Sequence, residues 1–185
     1  TLLTSETSFS TALNDITLDS TGNLRDRKKY TITGLQGGGP TSLDLSSLNF
    51  GPADVQFLAT LLTSFTLFTA ALSVLNISKN NIGADGAKAL ADVISSSKVE
   101  TLVIGNGVEI STRGTDAVIL DSSNKGFGPG ELVLISSLMI PFSPAMTDID
   151  LSSNDAITGK RSQDNDGQAP WIYGEDMAGF TVFCE

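Results

Sequence analysis

The sequence contains no histidine and a single cysteine, Cys184. Without histidine the chain cannot form a Ser-His-Asp triad or a histidine-ligated zinc site, so those two kinds of catalytic centre are excluded. One cysteine cannot form an internal disulfide, and nothing in the sequence therefore requires an oxidising compartment. The sequence favours an intracellular over a secreted protein and leaves the compartment open, an organelle included.

Long apolar runs and positive charge are also scarce. No run of about eighteen apolar residues occurs, so the sequence predicts no membrane span. Lysine and arginine number 11 against 21 aspartates and glutamates, which gives a formal net charge of −10. So acidic a surface repels phosphate groups, which argues against nucleic acid as a main partner. The 185 residues, 40% of them hydrophobic, are enough for one domain with a sizeable core.

Two segments recur along the chain. TLLTS at residues 1–5 returns at residues 60–64, and the similarity continues beyond those letters. FGPADVQFLATLL, which starts at Phe50, resembles FGPGELVLISSLM, which starts at Phe127. Each FGP segment leads into a similar pattern of apolar residues and asparagine. Internal similarity of this kind is typical of repeat proteins, in which one structural unit stacks on the next.

The clearest repeated pattern is LxxLxLxxNxL. Its first copy consists of Leu72, Leu75, Ile77, Asn80 and Ile82. Its second copy consists of Met146, Ile149, Leu151, Asn154 and Ala156. Apolar residues two apart predict a short strand with one buried face. We expect the asparagine side chain to bond the backbone of the turn that leaves the strand, because a buried polar group without a partner is costly.

Between these strand patterns the apolar period changes to that of a helix. The stripe that follows the first copy comprises Ala87, Leu90, Ala91 and Ile94. In the FGP segments, Pro52 and Pro129 suit the first position of a helix. Strands are predicted around Ile16, Leu43, Leu75, Leu102, Leu120 and Ile149. Their separations of 27, 32, 27, 18 and 29 residues leave room for a helix in most intervals, but residues 105–118 are predicted to cross as a loop.

In these residues the chain resembles the leucine-rich repeat family, and in particular its class with a full helix in each repeat, as in ribonuclease inhibitor. It is most similar to divergent leucine-rich repeat proteins of single-celled algae, in which helices also begin at FGPG-type sequences. The resemblance implies an α/β solenoid of about five to six irregular repeats, with a curved parallel sheet and helices on the convex side. It also implies that residues 1–185 form a single domain, a partial array truncated at both ends.

The resemblance further implies protein binding, because the concave sheet of this family commonly contacts a partner. The candidate residues on that face are Asp44, Ser46, Asn76, Ser78, Asp148 and Asp150. The face lacks the aromatic and arginine anchors of most interfaces, so a merely solvated strand surface is the alternative. A second candidate is the long segment 156–176, whose Trp171 and Tyr173 would either anchor a partner or pack as a lid over the core.

Calcium is a further possibility for that segment, where Asp164, Asp166 and Gly167 match three positions of an EF-hand loop. However, Ser162 stands at the first ligand position and Tyr173 stands where a bidentate glutamate is needed, so calcium is not predicted. The run GLQGGGP lacks the GK[ST] of a phosphate-binding loop. The sequence therefore predicts no cofactor, no metal site and no catalytic residue.

The function predicted from the sequence is a non-catalytic leucine-rich repeat protein that binds other proteins, as a scaffold or as a peripheral subunit of a larger assembly. One alternative is a receptor-like sensor of a ligand with the same architecture. Another is a GTPase-activating protein, since one family of such regulators shares this architecture and a catalytic arginine would lie in a loop. The arginines of the chain are Arg25, Arg27, Arg113 and Arg161.

Overall fold

The computed structural model describes residues 13–116 and 119–158, and the backbone of residues 160–161 and 171–172. Its strands are β1 (Ile16–Asp19), β2 (Lys29–Ile32), β3 (Ser42–Asp44), β4 (Val74–Asn76), β5 (Thr101–Ile104), β6 (Val108–Ser111), β7 (Ile119–Asp121), β8 (Asp148–Asp150), β9 (Lys160–Arg161) and β10 (Trp171–Ile172). Its helices are α1 (Pro52–Ser64), α2 (Thr66–Ala71), α3 (Gly83–Ile94), α4 (Pro129–Leu134) and α5 (Asp155–Thr158). Helix α4 continues into a π-helical turn, Ile135–Met139, and a 3-10 turn, Ile140–Phe142.

The strand positions predicted from the sequence all lie in strands of the structure. Strands β3, β4 and β5 are parallel neighbours, and their register aligns Leu43, Leu75 and Leu102. Strand β7 pairs in parallel with β8, which places Leu120 beside Ile149. Along β3, β4 and β5 the side chains alternate between buried and outward positions, as an apolar period of two predicts.

The prediction of a loop at residues 105–118 is wrong over part of that range, where strand β6 lies. Gly105 and Gly107 have φ angles of +53° and +99° and make a tight turn after β5, a conformation that glycine tolerates. The chain then runs back along β5, with Ile110 opposite Leu102. Because β6 occupies that edge of β5, strand β7 cannot pair there. The strands are therefore divided between the sheet β3-β4-β5-β6 and the pair β7-β8.

Strand β1 pairs with β2 and not with β3. The β1–β2 pair is antiparallel, with Ile16 opposite Ile32. Across it, the hydroxyl groups of Thr17 and Thr31 lie 2.8 Å apart. The remaining pair, β9 and β10, is antiparallel as well. The parallel pairing that the sequence predicts is thus found between β3, β4 and β5 and between β7 and β8.

Helices α1, α3 and α4 pack in series, α1 against α3 and α3 against α4. The buried side of α3 is the predicted stripe of Ala87, Leu90, Ala91 and Ile94. One hydrophobic core joins the helices to the strands and includes the aromatic rings of Phe50, Phe68 and Phe127. Over the described part of the chain, the structure contains no helix with the length and apolar character needed to cross a membrane.

Candidate functional site

Asn80 joins two neighbouring units, where a unit is a strand with the turn and helix that follow it. Its side-chain nitrogen donates to the carbonyl oxygen of Ile77 in its own turn, at 2.9 Å, and to that of Leu45 in the preceding unit, at 2.8 Å. Its side-chain oxygen accepts from the N–H groups of Leu48 and Phe50, each at 3.0 Å. The bond within its own turn is the one that the sequence predicts. The other three fix the preceding unit against it.

Asn154 makes the same set of contacts in the second copy of the motif. Its side-chain nitrogen donates to the carbonyl oxygens of Leu151, at 2.9 Å, and Ser122, at 2.8 Å. Its side-chain oxygen accepts from the N–H groups of Lys125, at 3.0 Å, and Phe127, at 2.9 Å. Two asparagines at equivalent sequence positions therefore have the same structural role, since both side-chain amides are bonded to backbone groups of their own turn and of the preceding unit.

Two buried carboxylates at the starts of helices were missed by the sequence analysis. Asp54 accepts from the N–H of Gly51 at 2.9 Å, and from both the N–H and the hydroxyl of Thr21 at 2.7 Å. Glu131 accepts from the N–H of Gly128 at 2.8 Å. Each acid is the third residue of its helix and bonds back to the residue before the helix, as in a capping box. The pattern Gly-Pro-x-Asp/Glu in both FGP segments is the signal that could have found them.

The surroundings of these carboxylates also connect different units. Burial raises the pKa of Glu131. The backbone N–H groups that bond its carboxylate, including that of Gly105 in the turn after β5, lower the pKa and offset part of this effect. Burial raises the pKa of Tyr30 in β2 as well, and the charge of Asp54 adds to that shift. The Tyr30 hydroxyl lies 3.5 Å from Asp54 as a hydrogen-bond donor. Asp54 and Glu131 therefore link separate parts of the chain through hydrogen bonds made by buried side chains.

The strand ends carry a second set of structural hydrogen bonds. The side-chain oxygens of Asp44, Asn76 and Asp150 accept from the backbone N–H two residues later, at 2.9, 3.1 and 2.8 Å. Asp121 accepts in the same way from Ser123, at 2.9 Å. Each of these bonds closes an Asx turn, which leads the chain away from the strand. Three of the predicted partner-binding side chains are thus held in place by their own turns.

We call the outward side of strands β3 to β8 the open face. Among the described residues it carries Ser42, Asp44, Val74, Asn76, Thr101, Val103, Glu109, Ser111, Ile119, Asp121, Asp148 and Asp150. The predicted partner-binding residues Asp44, Asp148 and Asp150 are exposed there, and Asn76 is half-buried.

The two serines predicted for the same face lie beyond the strand ends. Ser46 is half-buried and supplies the N–H that Asp44 bonds. Ser78 is buried, at 3% exposure, although the sequence analysis placed it among the partner-binding residues. The strand ends at Asn76, and the Asx turn that follows directs Ser78 inward, so its side chain is not accessible to a partner.

The arginines differ in their surroundings. The guanidinium of Arg113 donates to the carbonyl oxygens of Ser95 and Ser97, just beyond the last residue of α3. Positive charge is favourable at that end of a helix. Arg25 and Arg27 are exposed in the segment between β1 and β2. Arg113 is therefore engaged in capping α3, whereas Arg25 and Arg27 face solvent.

The second predicted site, in segment 156–176, lies largely outside the described residues. The backbone of Trp171 pairs with that of Arg161, both in two-residue strands. The side chains of these residues, Tyr173, and the EF-hand-like Asp164 and Asp166 fall outside what the structure describes. Elsewhere, within the described ranges, no three side chains of histidine, cysteine, aspartate or glutamate lie close enough together to hold a metal ion.

A groove of about 580 Å³ lies between α1–α2 and the end of α3. Its lining includes the side chains of Leu62, Ala70 and Val93, several hydroxyl groups, and the charged residues Asp92 and Lys98. The hydroxyls of Thr69 and Ser96 donate to carbonyl oxygens of the helices, so their protons are not available to donate to a ligand in the groove. The groove is therefore mostly apolar in character, and helices rather than the open face form it.

A family model described as Leucine Rich repeat matches residues 72–91. The matched range contains the first copy of the strand motif, from Leu72 to Ile82, and most of α3. The match supports a leucine-rich repeat family and indicates a protein-interaction module. Searches of curated proteins and of solved structures found no match.

Proposed function

We propose that this chain is a non-catalytic leucine-rich repeat protein whose open face binds another protein, as a scaffold or as a peripheral subunit of a larger assembly. The observation that carries the proposal is the row of outward-facing strand side chains on the open face. Its side chains project from strands whose opposite side is committed to the core, and Asx turns hold several of them in fixed positions. A preorganised surface of this kind loses little entropy when a partner binds.

The architecture that we propose with this function is an α/β solenoid of five to six repeats, of the ribonuclease-inhibitor-like class and similar to leucine-rich repeat proteins of single-celled algae. Backbone hydrogen bonds between successive units support it. Leu45 donates to Asn76 at 2.7 Å, and Ser122 donates to Asp150 at 2.8 Å. Between those pairs, Ile77 donates to Val103 at 3.0 Å, and Asn106 donates to Lys125 at 2.8 Å. In the proposed array, these bonds would link successive turns even where β6 divides the sheet.

Copurification from the native source tests the proposed function. We expect a stoichiometric complex whose other chains are identified by mass spectrometry. In binding assays with that partner, Val103→Arg on the open face should abolish the complex, because a long charged side chain would disrupt the contact. Gln56→Arg, an exposed position on α1, is the matched control and should leave binding intact. A monomeric protein, or equal loss of binding in both variants, would count against the proposal.

A regulator of GTPases is the second candidate, and the exposure of Arg25 and Arg27 is the observation in its favour. Arg113 is a weaker choice for a catalytic arginine, since its guanidinium already caps α3. Hydrolysis of GTP by a panel of small GTPases, measured with and without this protein, tests the idea. Stimulation that is lost in Arg25→Ala or Arg27→Ala would replace the non-catalytic proposal. A receptor-like sensor would instead be a monomer that binds its partner only when a stimulus is present.

A further inference from the structure

The part of the open face formed by β7 and β8 combines apolar exposure with negative charge. Ile119 is 65% exposed, so it presents a large apolar side chain on this part of the face. The parallel register places it beside Asp148, and it places Asp121 beside Asp150. Like charges directly opposite each other in a sheet are destabilising. This surface is therefore less favourable for the isolated chain than for one in contact with an oppositely charged partner.

Charge identifies the kind of partner. The open face carries the carboxylates of Asp44, Glu109, Asp121, Asp148 and Asp150, and none of its described outward-facing residues is a lysine or arginine. Lys125 lies beyond the strand end. Hydrogen bonds from Ser123 lower the pKa of Asp121, and the charge of Lys125 acts in the same direction. The whole chain has a net charge of −10, so its long-range field attracts cationic partners. The same field repels a second copy of the chain.

We propose that the β7–β8 part of the open face binds a lysine- or arginine-rich segment of a partner protein, with an apolar side chain of that segment resting on Ile119. This inference rests on the proposed function, which it makes more specific. The cationic side chains would contact the carboxylates of Asp121, Asp148 and Asp150. Asx turns hold two of these, so the partner meets carboxylates that are already positioned.

The test compares two variants that each lose two negative charges. The first is Asp121→Asn with Asp150→Asn, in which the amide oxygen can still close the turn; Asn76 does this at the equivalent position of β4. The matched control is Asp85→Asn with Asp92→Asn, at exposed positions on α3. The probe is a short fluorescein-labelled peptide that alternates lysine and leucine with glycine, and its affinity is measured by fluorescence anisotropy at low and high salt.

We expect the face variant to bind the peptide roughly tenfold more weakly than the unmodified protein, and the α3 control to bind it normally. Binding should weaken at high salt, as exposed charges are screened. Ile119→Ser should also weaken binding, but should not affect a peptide in which serine replaces leucine. Equal weakening in both charge variants would overturn the inference, because it would indicate general attraction to an acidic protein.

Two further outcomes separate this inference from the proposed function. If the native partner is lost on Val103→Arg but is insensitive to salt and to the Asp121 and Asp150 substitutions, the cationic partner is excluded while the proposed function stands. If sedimentation shows self-association that the face variant abolishes, a second copy occupies the face, and the inference is overturned. Thermal unfolding followed by circular dichroism confirms that each variant is folded.

Discussion

Each motif asparagine holds the preceding unit by three side-chain hydrogen bonds and also bonds the backbone of its own turn. Replacing Asn80 with alanine removes the bonds to Leu45, Leu48, Phe50 and Ile77 together. We expect the free energy of unfolding to fall by roughly 1–3 kcal/mol, because buried turn groups lose their partners. The midpoint of urea denaturation measures this.

The neighbouring Asn81 provides a matched control. Its side chain is exposed, and its contribution to the turn is a backbone N–H that donates to Phe50 at 3.1 Å. Asn81→Ala keeps that backbone bond, so its denaturation midpoint should stay close to that of the unmodified protein. If the two alanine variants unfolded at the same urea concentration, the structural task assigned to Asn80 would be refuted.

Glu131 leads to a prediction about pH. Its pKa in the folded protein is raised above the ordinary value of 4.5, chiefly by burial. The folded state therefore holds this proton more tightly than the unfolded state does, so the stabilisation is complete below 4.5 and is lost as pH rises through the raised pKa. We expect the stability of the unmodified protein, relative to Glu131→Gln, to decrease as pH rises from below 4.5 to neutral.

Urea denaturation of both proteins across this pH range measures the difference. Glu109→Gln, at an exposed position on β6, controls for the loss of one negative charge. If the unmodified protein became more stable relative to Glu131→Gln as pH rises, the assignment would be contradicted, since this would mean that the N–H groups around Glu131 outweigh its burial.

At the scale of elements, close approach between helix starts sets the packing. A methyl group added at Gly130 in α4 would lie 2.6 Å from the Cγ1 atom of Ile82 and 2.7 Å from the carbonyl oxygen of Gly83 at the start of α3. Both distances are below van der Waals contact, so one element must shift. We therefore expect Gly130→Ala to lower the free energy of unfolding by roughly 1–3 kcal/mol.

Ala53 occupies the position in α1 that corresponds to Gly130 in the other FGP segment, and it is exposed. Ala53→Val adds volume at that position, but the added methyl groups extend into solvent because Ala53 is exposed. Its effect should be limited to the helix propensity of valine, about 0.5 kcal/mol. Thermal or urea unfolding of the two variants compares them directly. A Gly130→Ala protein as stable as the original would show that α3 and α4 are packed less closely than described.

At the scale of the whole molecule, we expect the two copies of the strand motif to contribute independently to stability. The hydrogen bonds that the structure describes for the Asn80 side chain reach residues between Leu45 and Ser78. Those described for the Asn154 side chain reach residues between Ser122 and Ser152, so the two described sets do not overlap. We expect the losses in free energy of unfolding for Asn80→Ala and Asn154→Ala to add within about 0.5 kcal/mol in the double variant. A double variant much less stable than the sum would indicate coupling across the units between them.

The sequence predicted the local features of the fold well. The strand positions, the apolar stripe of α3 and the proline-led helix starts follow from short-range periodicity, which the sequence contains in full. It also predicted that Asn80 bonds its own turn. It could not give the bonds from Asn80 to Leu45, Leu48 and Phe50, because these depend on where the preceding unit lies.

The predicted functional residues divide in the same way. Asp44, Asp148 and Asp150 are exposed on strands, as an alternating pattern indicates, whereas Ser78 lies past the turn and is buried. The buried roles of Asp54 and Glu131 were missed because charged residues are expected at the surface. Their burial is possible only where Thr21 or Gly105, from another unit, supplies hydrogen-bond donors.

What the sequence alone determined is the position of six strands and of the helices that begin at the FGP segments and after the first motif, because period, glycine and proline act over a few residues; it did not predict β2, α2 or β6. The tertiary structure decided which strand edges meet. Strand β6 takes the edge of β5 that β7 would otherwise use, and β1 pairs with β2. Any strand edge offers the same backbone donors and acceptors, so its partner is selected by which segment reaches it, and that depends on the packing of the whole chain.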